Sequence, residues 1–179
     1  MLELHIPARE AFDDSTQTFI NTNPATIRLE HSLVAIAKWE SRWKKPFLSR
    51  SEKTIEETLD YIRCMTISQN VDPNLYYVLT NSEIAQINEY IEDEKTATTF
   101  SNNTPRSSRQ VVTSELIYYW MAAYGLSMEC QKWHLSRLLT LIRIASIENS
   151  PKKKMSKRAI MSQNKSLNAA RRKALGSKG

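Results

Sequence analysis

Glycine is nearly absent from this chain: there are three in 179 residues, Gly125, Gly176 and Gly179. Phosphate-cradling loops and Rossmann-type turns depend on glycine, because other side chains resist the backbone conformations they need. Devices of that kind have almost nothing to be built from here. With 41 % hydrophobic residues, a buried core is within reach, and the length suits one domain with an appendage.

Apolar periodicity points mostly to helices. Ile36, Trp39 and Trp43 share a face at 3 and 4 spacing, which predicts a first helix over about 32–44, ahead of Pro46. Thr54 and Glu57, and again Thr80 and Glu83, have the spacing of capping boxes. They open helices carrying Ile55, Leu59, Ile62 and Met65, and then Ile84, Ile87 and Ile91. Residues 94–112 are polar and read as a long surface loop. A helix over Leu116–Tyr124 follows, with Gly125 as its C-cap. The stretch from Met128 to Ile147 is the most hydrophobic and is expected as one helix at the centre of a bundle. At the N-terminus, residues 2–6 and 26–30 alternate apolar and polar. They predict two short strands that pair, with Asn21–Pro24 as turn material between them. The expected fold is mainly α: a helical bundle with a short N-terminal β-hairpin-like element and a basic C-terminal helical arm.

Charge divides the chain at Pro151. Residues 151–179 hold ten Lys/Arg and no Asp or Glu, a net of +10. Residues 1–150 hold fifteen Lys/Arg against nineteen Asp/Glu, a net of −4, so the overall +6 describes neither part. The expected division is a helical body, 1–150, and a basic extension, 151–179. The extension avoids Gly and Pro from Ser156 to Leu175 and carries a thin apolar stripe of Ile160, Leu167 and Ala174. Isolated helices of this length are marginal in water, so a frayed helix that orders on a partner is expected. Its candidate partner-binding residues are Lys152, Lys153, Lys154, Lys157, Arg158, Ile160, Leu167, Arg171, Arg172 and Lys173. Asn164, Asn168 and Ser162 dilute the charge in mid-arm, and a stripe has no use on a phosphate backbone. That favours an acidic protein face. Any nucleic-acid binding would be non-specific and salt-sensitive.

No catalytic constellation is legible. His5, His31 and His134 lack metal-like neighbours at i+3 or i+4, and zinc would need three or four ligands. His134 reads as a helix histidine satisfied locally, and Cys64 and Cys130 as buried reduced thiols. Cys130 and His134 stand four apart, but their apolar surroundings favour core over chemistry. Glu56, Glu57 and Asp60 read as carboxylates favouring a helix N-terminus; Glu89, Glu92, Asp93 and Glu94 read as a solvated acidic face or a landing site for a basic partner. Tyr76-Tyr77 and Tyr118-Tyr119-Trp120 lack adjacent cations and read as packing or protein interface rather than base-stacking platforms. The expectation is a binding protein rather than an enzyme, with no cofactor and no metal. The start has no basic n-region and no run approaches the length of a membrane span, so a cytoplasmic location with no membrane partner is expected.

Three groups of segments carry a resemblance. They are Leu29-Glu-His-Ser-Leu33 with Lys38-Trp-Glu40 and Lys45-Pro-Phe47; Glu115-Leu-Ile-Tyr-Tyr-Trp120 with Cys130-Gln-Lys-Trp-His134 and Arg137-Leu-Leu-Thr-Leu-Ile142; and Lys152-Lys-Lys-Met-Ser156 with Leu167-Asn-Ala-Ala-Arg-Arg172 and Leu175-Gly-Ser-Lys-Gly179. Over nearly the whole chain the sequence resembles a family of small proteins from tailed bacteriophages, the tail assembly chaperones. The resemblance implies binding to the tape measure protein, in the host cytoplasm, before the tail tube polymerises, and leaves room for self-association. It carries no catalytic motif. Tail chaperones are often acidic overall, whereas this chain is basic because of its extension. That departure keeps a virion structural role in view: a head–tail connector or minor capsid component docked through the arm.

Overall fold

A computed structural model of the chain describes residues 1–13, 17–100, 111–150 and 157–176, with the backbone alone at Asp13 and Ala159. It is mainly α and divides into two compact units, Met1–Ser146 and Ile147–Gly179.

The first unit opens with four strands. β1 (Leu2–Ile6) pairs antiparallel with β4 (Ala25–Leu29), in the register Leu2 to Leu29 and Ile6 to Ala25. Between them β2 (Arg9–Asp13) and β3 (Thr18–Thr22) form a second antiparallel pair. Alternation places Leu4, Ile6, Ile27 and Leu29 on one buried face. The pairing of the outer strands follows the sequence pattern, but the inner pair does not. The stretch Asn21–Pro24 reads as turn material, yet Asn21 and Thr22 are in strand β3. The pair's alternation is weak because its outward face carries Phe12 and Phe19, paired across the strands with ring centroids 5.0 Å apart and both exposed.

α1 (Leu33–Trp43) is capped by Ser32, whose hydroxyl accepts from the Ala35 N–H, and ends at Lys44 in the left-handed region. The stop is therefore set two residues before Pro46. α1 buries Leu33, Ala35, Ile36, Trp39 and Glu40. α2 (Ile55–Met65) and α3 (Asn81–Glu92) both begin with complete capping boxes, Thr54–Glu57 and Thr80–Glu83. Of the four apolar positions expected to line α2, Ile55 is exposed, since it sits in the first turn beyond the reach of the core. The C-terminal end of α2 joins the sheet: the Glu30 N–H donates to the Met65 carbonyl at 2.9 Å and the Ile67 N–H to the Arg28 carbonyl at 2.8 Å. A 3-10 turn over Pro73–Val78 links α2 to α3.

α4 (Ser114–Ala123) is capped by Thr113, and Gly125, at φ +65°, closes it as expected. The stretch after it departs from expectation. Met128–Lys132 is a 3-10 turn, and α5 runs only from Leu135 to Asn149. Of its side chains only Leu135, Leu138 and Ile142 are buried, and Ile144 and Ile147 are exposed. α5 covers the core from one side and is not its centre. The centre is α1 against the β1–β4 face, with Leu33, Ile36, Trp39, Ile27 and Leu29 at 1 % exposure or less. Hydrophobic density misled here because the stretch breaks at Trp133 and His134, between the 3-10 turn and α5, and an apolar helix on the outside still leaves a wet side.

The second unit contains α6 (Lys157–Leu175), uninterrupted over 19 residues, with Gly176 at φ +62° after it.

Candidate functional site

The residues expected to bind a partner fall on α6, except Lys152, Lys153 and Lys154, which lie outside the described residues. Every described side chain of α6 is exposed. It has no acidic residue, and Lys157, Arg158, Lys165, Arg171, Arg172 and Lys173 have no carboxylate partner among the described residues. The sequence favours the helix through its Ala, Leu, Met, Lys, Arg and Gln content. Arg172 and Lys173 complement the negative dipole end, whereas Lys157 and Arg158 sit at the positive end with no acid nearby in the first turn. The helix is thus electrostatically best satisfied when an anionic group approaches that end. Ile160 and Leu167 are 43 % and 48 % exposed, so the stripe lies open to water.

The first unit uses its ionisable groups differently. Glu83 accepts from the Arg9 guanidinium twice, at 2.6 and 2.8 Å, and from the Thr80 N–H and hydroxyl at 2.8 and 2.9 Å. Arg9 and the Thr80 contacts hold the Glu83 carboxyl down at about 2. Glu57 is bound by Lys45 and the Thr54 N–H, which lower its pKa, and its own carbonyl takes the Trp39 indole N–H at 2.8 Å. Asp60 accepts from Arg42 and, at 2.9 Å, from the Trp43 indole. Glu40 is buried and accepts two backbone N–H groups at 2.8 Å each, those of Phe47 and Ser114. The carboxylates of 56–60 therefore divide: Glu57 and Asp60 fasten elements together, and Glu56 is exposed. Glu89, Glu92, Asp93 and Glu94 are exposed, as the sequence implies.

Two of the three histidines, His31 and His134, form a group that the sequence did not reveal. His134 lies outside any helix, bridged to Ser32. Its Nε2–H donates to the Tyr90 carbonyl at 3.1 Å, and its buried Nδ1 has no partner among the described residues. It is satisfied by a distant element, and only in part, so the expectation of a local partner is overturned. Its ring meets His31 edge-on at 5.2 Å and Tyr90 at 5.1 Å. His31 Nδ1 is 2.5 Å from the Tyr61 hydroxyl, and burial, with the neighbouring His134, pushes His31 down to about 4. The Tyr90 hydroxyl donates to Glu30 at 2.7 Å. Only long-range contacts, 44 and 30 residues apart, assemble this group, so no local spacing could have found it. It is buried among aromatics, and among the described residues no three His, Cys, Asp or Glu side chains converge as a metal would require. Both cysteines are free and buried, and burial raises the Cys64 thiol, which keeps it protonated and unreactive.

A cleft lined by Arg42, Trp43, Leu59, Asp60, Arg63 and Tyr77 also opens on the first unit. Its Asp60 is already taken by Arg42 and Trp43, and Arg63 lies over the Tyr76 ring. Among the described residues no helix is long and apolar enough to cross a membrane. Comparison with known proteins gives no match: no family model, no curated protein and no solved structure.

Proposed function

We propose that this chain is a binding protein of phage assembly, a tail assembly chaperone that holds the tape measure protein during tail morphogenesis. A basic C-terminal helical arm, appended to a helical body, does the holding. The observation that carries the reading is α6: a 19-residue helix with six cations, no acid, and an apolar stripe left open. Open apolar surface beside unpaired charge is costly to keep unless a partner covers it. The resemblance over nearly the whole chain supplies the identity of that partner. The body is read as a scaffold and not as an enzyme. Its buried carboxylates Glu40, Glu57 and Glu83 cap helices or join elements, His31 and His134 are packed among aromatics, and its thiols are buried.

The setting is the host cytoplasm, with no membrane partner. The charge balance, +10 beyond Pro151 on a body of −4, favours a second reading, a virion structural protein docked through the same arm. Mass spectrometry of purified particles separates the two. A chaperone is absent from the particle and is retained by the tape measure protein when both are co-expressed. A connector or minor capsid component is present at a fixed, symmetric copy number, and that result would overturn the chaperone.

A further inference from the structure

Seen along its axis, α6 sorts its side chains by heptad. Ile160, Leu167 and Ala174 recur every seven residues, and Gln163 and Ala170 fall three after the first two, so the five form one seam at 3 and 4 spacing. Lys157, Asn164 and Arg171 flank the seam on one side, and Ser166 and Lys173 on the other. Arg158, Lys165 and Arg172, also seven apart, fall roughly 160–200° from the seam at 100° per residue. The seam itself carries no charge and the cations lie at its flanks and behind it, where Met161 and Leu175, 72 % and 80 % exposed, also fall, beside Lys157.

This sorting selects an occupant. A second copy of α6 would bring cations against cations at both flanks. A polyanion needs no seam, and charge anywhere on the circumference would serve it. Small residues at Ala170 and Ala174 let another helix approach closely, within the usual range of about 8–10 Å between axes. Lys157, Arg171 and Lys173 then call for carboxylates on that helix. Building on the reading of α6 as the binding arm, we propose that it pairs side by side with a single acidic amphipathic helix of its protein partner. The seam is in contact, the flanking cations face Asp or Glu, and Arg158, Lys165 and Arg172 remain in water.

The test uses the full chain and three labelled probes, followed by fluorescence anisotropy. One is a synthetic peptide of about three heptads with Leu at the seam and Glu at the flanks. The second carries the same Glu residues with Ser at the seam, and the third is a short duplex DNA. The Leu peptide is expected to bind at least about tenfold more tightly than the Ser peptide. Ile160→Asp with Leu167→Asp should abolish that difference, and Gln163→Leu should widen it. Arg171→Gln with Lys173→Gln should weaken binding and flatten its salt dependence, while Arg158→Gln, Lys165→Gln and Arg172→Gln together change it less than about twofold. Circular dichroism of each variant should show the parent's helix content. Equal binding of the Leu and Ser peptides would overturn the proposal, as would tighter binding of the duplex or a loss from the outer triple equal to that from the flanks. If the Leu peptide binds through the seam while the co-expressed tape measure protein is not retained, the chaperone reading fails and the helix-pairing proposal stands.

Discussion

The two units treat charge in opposite ways. In the first, Arg9, Arg42 and Lys45 each close on a carboxylate of a different element: Glu83, Asp60 and Glu57. In α6 all six cations face solvent, and none has such a partner among the described residues. Charge in the body fixes one element against another, and its removal should appear as lost stability. The cations of α6 have no carboxylate partner among the described residues, so their removal should appear in binding.

The largest effect that tests this contrast is expected at Trp39, fully buried with its indole bound to the Glu57 carbonyl. Trp39→Ala removes the packing and the indole's bond to the Glu57 carbonyl, a loss of about 3–5 kcal/mol in urea unfolding. Glu40→Ala comes next. It leaves the Phe47 and Ser114 N–H groups without their acceptor, and about 2–4 kcal/mol is expected, read in the same way. If Glu40→Ala melted like the parent, the view of body charge as an internal fastener would be wrong.

Acid should act on the body in two windows. His31 titrates near 4 in the folded chain, below the ordinary histidine value of about 6.5. As pH falls, the unfolded chain takes the proton first. Stability is therefore complete above about pH 6.5 and declines as pH drops toward 4, by about 3 kcal/mol from this group. Glu83, near 2 when folded, contributes above the ordinary carboxylate range of about 4.3 and loses that contribution as pH falls toward 2. In urea titrations across pH, His31→Gln should remove the upper window and leave the lower one. A single window between pH 4 and 2 in the parent protein would contradict the buried histidine.

The smallest effect is expected where the sequence is most basic. A chain ending at Ser150, or one carrying Ile160→Asp with Leu167→Asp, should unfold within about 0.5 kcal/mol of the parent. Loss of the body's cooperative unfolding on truncation would show that the division at the charge step is false.

What the sequence revealed follows the range of the forces involved. Caps act across three residues, so Thr54–Glu57 and Thr80–Glu83 were readable, as was the left-handed Gly125. The pairing of β1 and β4 was readable from alternation alone. The β2–β3 pair was not, since its anchor is the ion pair of Arg9 with Glu83, 74 residues away, and its aromatic face points outward. The central place assigned to Met128–Ile147 failed because hydrophobic content does not say which side of an element is covered. For the same reason the histidine group was invisible, while the stripe of Ile160, Leu167 and Ala174, being local, is legible in the spacing.

The nesting of β2–β3 inside β1–β4 also bears on how the chain gets folded at all. Ile6 and Ala25 are separated by eighteen residues, and pairing the outer strands directly means closing that whole loop. Once the inner strands have zipped, only two residues on each side, 7–8 and 23–24, remain free between the two pairs. Loop-closure entropy grows with the logarithm of the free length, so the inner pair shortens the search by about 1–2 kcal/mol. The hairpin, peripheral in the finished core, therefore belongs to the barrier. Thr18→Gly in β3 should slow refolding more than it speeds unfolding, the reverse of what its position at the edge suggests.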